Sequence, residues 1–191
     1  MATTYAIDLV PVDERGRTAR RRDWRTLIAT EPPERFVGFG QPVLAPADGR
    51  VVLVHDGEPD HEARRSQLAL VPYALGQTGR LRRGAVGLAG NHVVLEMSNG
   101  EGYVAIVHLR RGSAAVAPGE IVRVGDPVAE CGNSGNSTEP HVHLQAMDGP
   151  DPARASGLPF VFGRFVERYR GRKRVVVEGL PTEGAIIEPV A

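Results

Sequence analysis

One cysteine, one lysine and no surplus of either charge mark this 191-residue chain. Cys131 has no second thiol to pair with, so the fold is not stapled and must be held by its core. Its neighbours Glu130 and Gly132 offer no cation to favour a thiolate, and Cys131 reads as a small buried apolar residue rather than a nucleophile. Lys plus Arg number 23, as do Asp plus Glu, which leaves no field to attract nucleic acid or an anionic membrane. The basic runs Arg20–Arg22 and Arg170–Arg174 are short and read as solvated faces or loops. No stretch approaches the roughly 20 apolar residues needed to span a bilayer. Met1 opens directly onto Tyr5-Ala6-Ile7-Asp8 without the basic start, apolar run and small-residue cleavage site of a leader. As written, the sequence reads as a soluble, cytoplasmic chain. The scarcity of lysine removes one further reading. Val124-Gly125-Asp126-Pro127-Val128 could belong to a lipoyl-type carrier hairpin, but that needs a lysine at its turn, and Lys173 stands far away.

Hydrophobic residues make up 41% of the chain, enough for one ordinary domain with a real core and a small appendage. Short strand-like runs dominate. Tyr5–Val10 is compact and apolar around Asp8. Val43–Val54 reads as two strand pieces about an Asp48-Gly49 turn. His92–Met97 and Tyr103–Leu109 flank Ser98-Asn99-Gly100-Glu101-Gly102, a hairpin signal, and Ile121–Val124, Asp126–Cys131 and His141–Met147 continue the series. The pattern predicts a mainly β fold, an antiparallel sheet, sandwich or barrel. Two helices are expected, at Arg22–Thr30 before Pro32-Pro33 and at His61–Leu75 within a long insertion at about 56–90. Residues 1–150 are read as the β domain, and 151–191 as a C-terminal extension packed on it.

The chemistry concentrates in Gly132–Leu144, Gly-Asn-Ser-Gly-Asn-Ser-Thr-Glu-Pro-His-Val-His-Leu. In a strand His141 and His143 point to one face, and two imidazoles there can address a metal and a base beside it, or be two partly exposed histidines with no common task. His108 sits in the apolar run Ala105–Leu109, where a satisfied structural histidine is the plainer reading. Asp8, inside Tyr-Ala-Ile-Asp-Leu-Val, needs a cation, backbone N–H groups or a metal if it is buried. A carboxylate, an imidazole to hold Zn²⁺ and further imidazoles to move protons are the parts of a zinc hydrolase, although spacing alone does not bring them together.

From Phe39 to Gln145 the chain resembles the lysostaphin/LytM-type zinc metallopeptidases, which cut peptide cross-links in bacterial cell walls. Ala45-Pro46-Ala47-Asp48-Gly49-Arg50-Val51 looks like the family's A-x-x-x-G-x-V segment, and Gly90-Asn91-His92-Val93-Val94-Leu95 like its G-N-x-V-x-I strand. Val107-His108-Leu109 stands for the H-L strand, and Val124–Val128 for the V-x-x-G-D-x-V turn. Gly132–His143 carries the G-x-S-G-x-S-x-x-P-H-x-H signature. The resemblance implies a duplicated hybrid motif fold and a monomer with zinc as cofactor. It also implies a peptidoglycan peptide substrate and action at the cell envelope or outside it. It implies Asp8 and His143 as metal ligands, with His108 and His141 assisting the metal-bound water or the transition state.

The first metal motif departs from the family, which has a histidine four residues before the aspartate. Here Thr4 holds that place, and no histidine precedes His55. Asp8 and His143 are two ligands where catalytic zinc usually has three. One expectation is that a first histidine and a leader lie upstream of Met1. Another is that the insertion returns His55, Asp60 or His61 to the metal. The third is a non-catalytic relative that binds wall peptides or regulates another hydrolase.

Overall fold

A computed structural model describes residues 4–19, 23, 26, 29–64, 84–152 and 154–190. The chain divides into two compact units, Met1–Leu158 and Pro159–Ala191. The first is built on an antiparallel sheet in the order β1-β8-β5-β4-β3-β6, with β9 added to β8. Its strands are β1 (Ile7–Leu9), β3 (Gly49–His55), β4 (Asn91–Met97), β5 (Tyr103–Leu109), β6 (Ile121–Val122), β8 (Val142–Met147) and β9 (Gly157–Leu158). A two-stranded sheet pairs β2 (Pro42–Leu44) with β7 (Pro127–Glu130). The mainly β, antiparallel architecture is the one expected.

The central strands read as apolar runs because both of their faces are buried. Register sorts them into rows. Val93, Ile106 and Leu144 lie side by side, as do Leu95, Val104 and Ala146. The opposite face carries Val94, Ala105, Val107 and Met147, packed with Ala89 from the short helix α1 (Gly84–Ala89). The row His92, Val107, His143, Asp8 crosses β4, β5, β8 and β1 on this second face. The β4–β5 hairpin turns through Ser98–Gly102 as its residues predict. Cys131 is buried at 1% exposure.

Two local expectations change. The strand pieces on either side of Asp48-Gly49 do not pair with each other: β2 joins β7 while β3 joins β4 and β6. Between them, Ala45 N–H donates to Asp126 O at 2.8 Å. The helix expected at His61–Leu75 does not begin at its amino end. There Ala63 forms a bridge with Glu31, and residues 65–75 lie outside the described ones. The helix expected over Arg22–Thr30 falls mostly outside the described residues; a 3₁₀ turn follows at Pro33–Arg35.

The second unit is a three-stranded antiparallel sheet, β11-β10-β12, from β10 (Phe162–Tyr169), β11 (Arg172–Gly179) and β12 (Ile186–Pro189). Phe165 is buried beside Phe162, with the rings 6.1 Å apart and nearly perpendicular. The nearly buried Glu167 accepts from Thr182 N–H at 2.6 Å and Arg174 Nε at 2.6 Å, so its charge is paired. The basic run 170–174 is exposed, as expected, while Arg20–Arg22 lies outside the described residues.

Ile106 is wholly buried between Val93 and Leu144. Replacing it with alanine removes three carbons from that row and is expected to lower unfolding stability by about 2–5 kcal/mol. Urea denaturation measures this; a loss under about 1 kcal/mol would mean that the row is not closely packed.

Candidate metal centre

Three strands deliver one carboxylate and three imidazoles to one end of the large sheet. Asp8 on β1 is directly opposite His143 on β8, and His143 is opposite Val107 on β5. Asp8 Oδ1 and His143 Nδ1 are 2.8 Å apart, and His141 Nε2 is 3.6 Å from the same oxygen. The His108 ring lies 4.7 Å from that of His141 and 5.9 Å from that of His143. The four residues singled out from sequence therefore stand together.

Strand alternation alone would not aim His108 at this point, since its neighbour Val107 occupies the face shared with His143. The backbone supplies the difference. His108 adopts φ 63°, a left-handed conformation that costs a non-glycine residue about 1–2 kcal/mol. Its carbonyl accepts from Gly132 N–H at 3.0 Å, and its Nδ1 lies 2.9 Å from Ser134 O. A carbonyl has no proton to give, so His108 Nδ1 carries the hydrogen and Nε2 is the bare nitrogen. Burial is the main reason that its pKa is pushed down to about 3, with His141 and His143 adding repulsion. His108 is a neutral base at physiological pH.

His141 repeats the device. Its Nδ1 is 2.8 Å from Glu139 O and 3.0 Å from Ser137 Oγ, while Ser137 Oγ itself donates to Glu139 O. With Nδ1 held at Glu139 O, Nε2 is the nitrogen that faces Asp8. His143 differs. Its Nδ1 meets a carboxylate, and its buried Nε2 has no hydrogen-bond partner among the described residues. The His143 hydrogen bond holds the Asp8 carboxyl below the usual carboxylate range against the opposing effect of burial, with His141, His143 and His108 helping through charge.

Loop Gly132–Pro140 must pass close to α1 for these contacts to form. Gly90 and Gly135, at φ 63° and 68°, make that possible. A Cβ on Gly135 would stand 2.6 Å from Leu88 O, and one on Gly90 would stand 2.6 Å from Gly135 N. Asn136 N–H then reaches Leu88 O at 2.9 Å.

Carboxylate oxygen and imidazole nitrogen suit zinc in kind. In number they fall short. Every His, Cys, Asp and Glu of the chain is among the described residues, and no three of these side chains form a group able to hold a metal ion. The Asp8–His143 separation of 2.8 Å is also a hydrogen-bond length; two ligands of a tetrahedral zinc stand about 3.3 Å apart. None of the substitutes from the insertion is at the centre. His55 stacks on His92, Asp60 Oδ1 accepts from Asn133 N–H, and His61 Nε2 meets Gly135 O. Thr4 is exposed. Ser134, Ser137 and Glu139, which fix the imidazoles, were not singled out individually. Their only sequence signal is small polar residues crowded into a glycine turn next to histidines.

Cys131 is no part of this chemistry, its thiol pushed up to about 12 by burial.

The lowered His108 pKa has a stability consequence with a definite sign. In the unfolded chain a histidine takes a proton near pH 6.5, whereas folded His108 does so near 3. Between these values the unfolded state binds more protons, so stability falls as pH falls, and above about 6.5 it is flat. His92, also lowered by burial, acts in the same direction. Urea midpoints should drop from pH 7 to pH 5 with a slope of up to about 1.4 kcal/mol per pH unit for one proton. His108→Gln should flatten that slope; an unchanged slope would mean that His108 titrates normally.

Residues 73–154 match the family described as Peptidase family M23. Among solved structures, the catalytic domain of the antimicrobial peptidase lysostaphin from Staphylococcus simulans is 23% identical, covering 64% of this chain and 70% of that one, with a TM-score of 0.41. LytU is 26% identical over 62% of each chain, with a TM-score of 0.41. The catalytic domain of the prophage-encoded M23 protein EnpA from Enterococcus faecalis is 18% identical over 80% of this chain and 88% of that one, at 0.43. From residue 73 to residue 154, the stretch that carries His108, His141 and His143, the chain matches peptidase family M23, and the resemblance read from its motifs is to that family.

Proposed function

We propose that this chain is a zinc-dependent endopeptidase-type domain acting on peptide cross-links of bacterial peptidoglycan, with Asp8 and His143 as metal ligands and His108 and His141 as proton-handling residues. The observation that carries the reading is the convergence of these four side chains in a chain matched to a peptidase family. The substrate places its action at the cell envelope.

The chemistry that belongs to the chain itself is that of its imidazoles. His108 and His141 each spend Nδ1–H on a main-chain carbonyl, which orients the ring and leaves Nε2 able to take a proton. His108 is buried and neutral at physiological pH. Asp8 is the solvent-facing member, with 58% of its side chain exposed, so the cleft is open on the side of β1.

The shortfall in metal donors favours a second reading, a non-catalytic module that binds cell-wall peptides or regulates another hydrolase. One pair of measurements separates the two. The full chain is equilibrated with zinc, dialysed and assayed for bound metal, then incubated with purified peptidoglycan while newly released amino groups are counted. The endopeptidase reading expects about one zinc per chain and cleavage that falls at least about 100-fold in His143→Ala, as for loss of a metal ligand. Peptidoglycan binding without zinc and without new amino groups would replace it by the module reading.

A further inference from the structure

After β3 ends at His55, the next nine residues form no helix or strand, yet almost every polar group in them is engaged. Asp56 accepts from Gly112 N–H at 2.6 Å and Ala114 N–H at 2.9 Å. Gly57 and Glu58 N–H groups both donate to Asn91 Oδ1 at 2.8 Å. Asp60 accepts from Arg111 N–H at 3.0 Å and from Asn133 N–H at 2.7 Å. Arg64 N–H donates to Thr138 O at 2.7 Å. The start of the insertion thus ties the chain after β5 to the loop that leads into His141 and His143.

His61 is the centre of this seam. Its Nε2 lies 3.0 Å from Gly135 O, while its Nδ1 meets two donors, Asn133 Nδ2 at 3.2 Å and Arg64 Nη1 at 3.3 Å, beside one carbonyl, Glu62 O at 3.2 Å. The shorter carbonyl contact and the two donors put the hydrogen on Nε2. Asn133 Nδ2 also donates to His61 O at 2.7 Å, and His61 N–H to Asn133 O at 3.2 Å. One residue further along, Ser134 O receives the Nδ1–H of His108. The 134–135 stretch is therefore gripped by two imidazoles, His108 on one carbonyl and His61 on the next. Ser134 Oγ closes a third side, donating to Leu109 O at 2.8 Å and accepting from Asn91 N–H at 3.0 Å.

We propose that Asp60 and His61 are positioning residues for His108. They hold the backbone at Asn133–Gly135 so that the Ser134 carbonyl meets His108 Nδ1, and this selects the tautomer whose Nε2 is bare. A neutral imidazole chooses between two tautomers by the partner each nitrogen finds. If the carbonyl drifts from Nδ1, the proton can occupy Nε2, and the basic nitrogen no longer faces the cleft. The proposal rests on the reading of His108 as a proton-handling residue of this site, and it gives the opening of the insertion a task that spacing alone does not disclose.

The test is a tautomer measurement rather than an activity. The full chain, labelled with ¹⁵N-histidine and kept in EDTA, is examined by long-range ¹H–¹⁵N correlation at pH 7.5, where each ring nitrogen reports whether it bears hydrogen. The native chain should show His108 almost wholly as Nδ1–H. In His61→Ala the Nε2–H form should rise from under about a tenth to about half, as the held carbonyl is released. His61→Gln, whose amide can still donate to Gly135 O, should largely restore the native signature. Val51→Ala, a core change with no polar contact to the loop, should lower stability without moving it. If His61→Ala does not fold, Asp60→Asn decides, with a smaller shift in the same direction. An unmoved His108 signature in a folded His61→Ala or Asp60→Asn chain overturns the proposal, as does an equal shift in Val51→Ala. Failure to cleave peptidoglycan would count against the proposed function and leave this result untouched.

Discussion

The contact between Asp8 and His143 is the constraint around which the centre is organised. It joins a three-residue edge strand to a central one, and its register leaves no latitude. Side chains alternate across a strand, so a slip of one residue would turn Asp8 to the opposite face and present Ile7 or Leu9 to the histidines. The hydrogen bond and the apolar neighbours Ile7 and Leu9, paired with Leu144 and Val142, act together to prevent that slip. The carboxylate is the only acid among the three imidazoles, so it also sets the charge balance of the cleft. With His108 neutral, a single negative charge faces the two remaining rings.

Five of the six imidazoles fall into two kinds according to what fixes them. His61, His92, His108 and His141 each place one ring nitrogen against a main-chain carbonyl, of Gly135, Gly90, Ser134 and Glu139 respectively. A backbone carbonyl only accepts, which assigns the hydrogen of His92, His108 and His141, while at His61 the donors Asn133 and Arg64 on Nδ1 complete the assignment. His143 has no such anchor. Its partner is a carboxylate that would accept a proton or share a cation equally well, and its other nitrogen is buried without a partner among the described residues.

Much of this was legible in the sequence because it is carried by local signals. Alternating apolar runs, the Ser98–Gly102 turn and the Gly132–His143 signature each occupy a few consecutive residues, and the strands and site histidines follow from them. What was hidden depends on partners distant in sequence or on backbone conformation. The separation of β2 from β3 is decided by β7 and β4, about 40 or more residues away along the chain. The left-handed φ of His108 has no readable signature, since only a small share of non-glycine residues adopt it, histidine somewhat more often than most. The role of Asp56–Arg64 was invisible for a different reason. Its task rests on hydrogen bonds to Glu31, Asn91, 111–114 and 133–138, partners that its own residues do not announce.

These two kinds of information meet at the metal question. Thr4 stands four residues before Asp8, where the resemblance leads one to expect a histidine, and no three of the acids, the thiol and the imidazoles form a group able to hold a metal ion. The carboxylates and histidines nearest in sequence to the insertion are committed elsewhere, Asp56 and Asp60 to backbone N–H groups and His61 to Gly135. Withdrawing any of them to complete a metal site would break the hydrogen bonds that hold 110–114 and 133–135. The loop that aims His141 and His143 would lose its support in the same movement. Among the described residues of the insertion, Asp60 and His61 brace the 133–135 stretch and stand away from the centre.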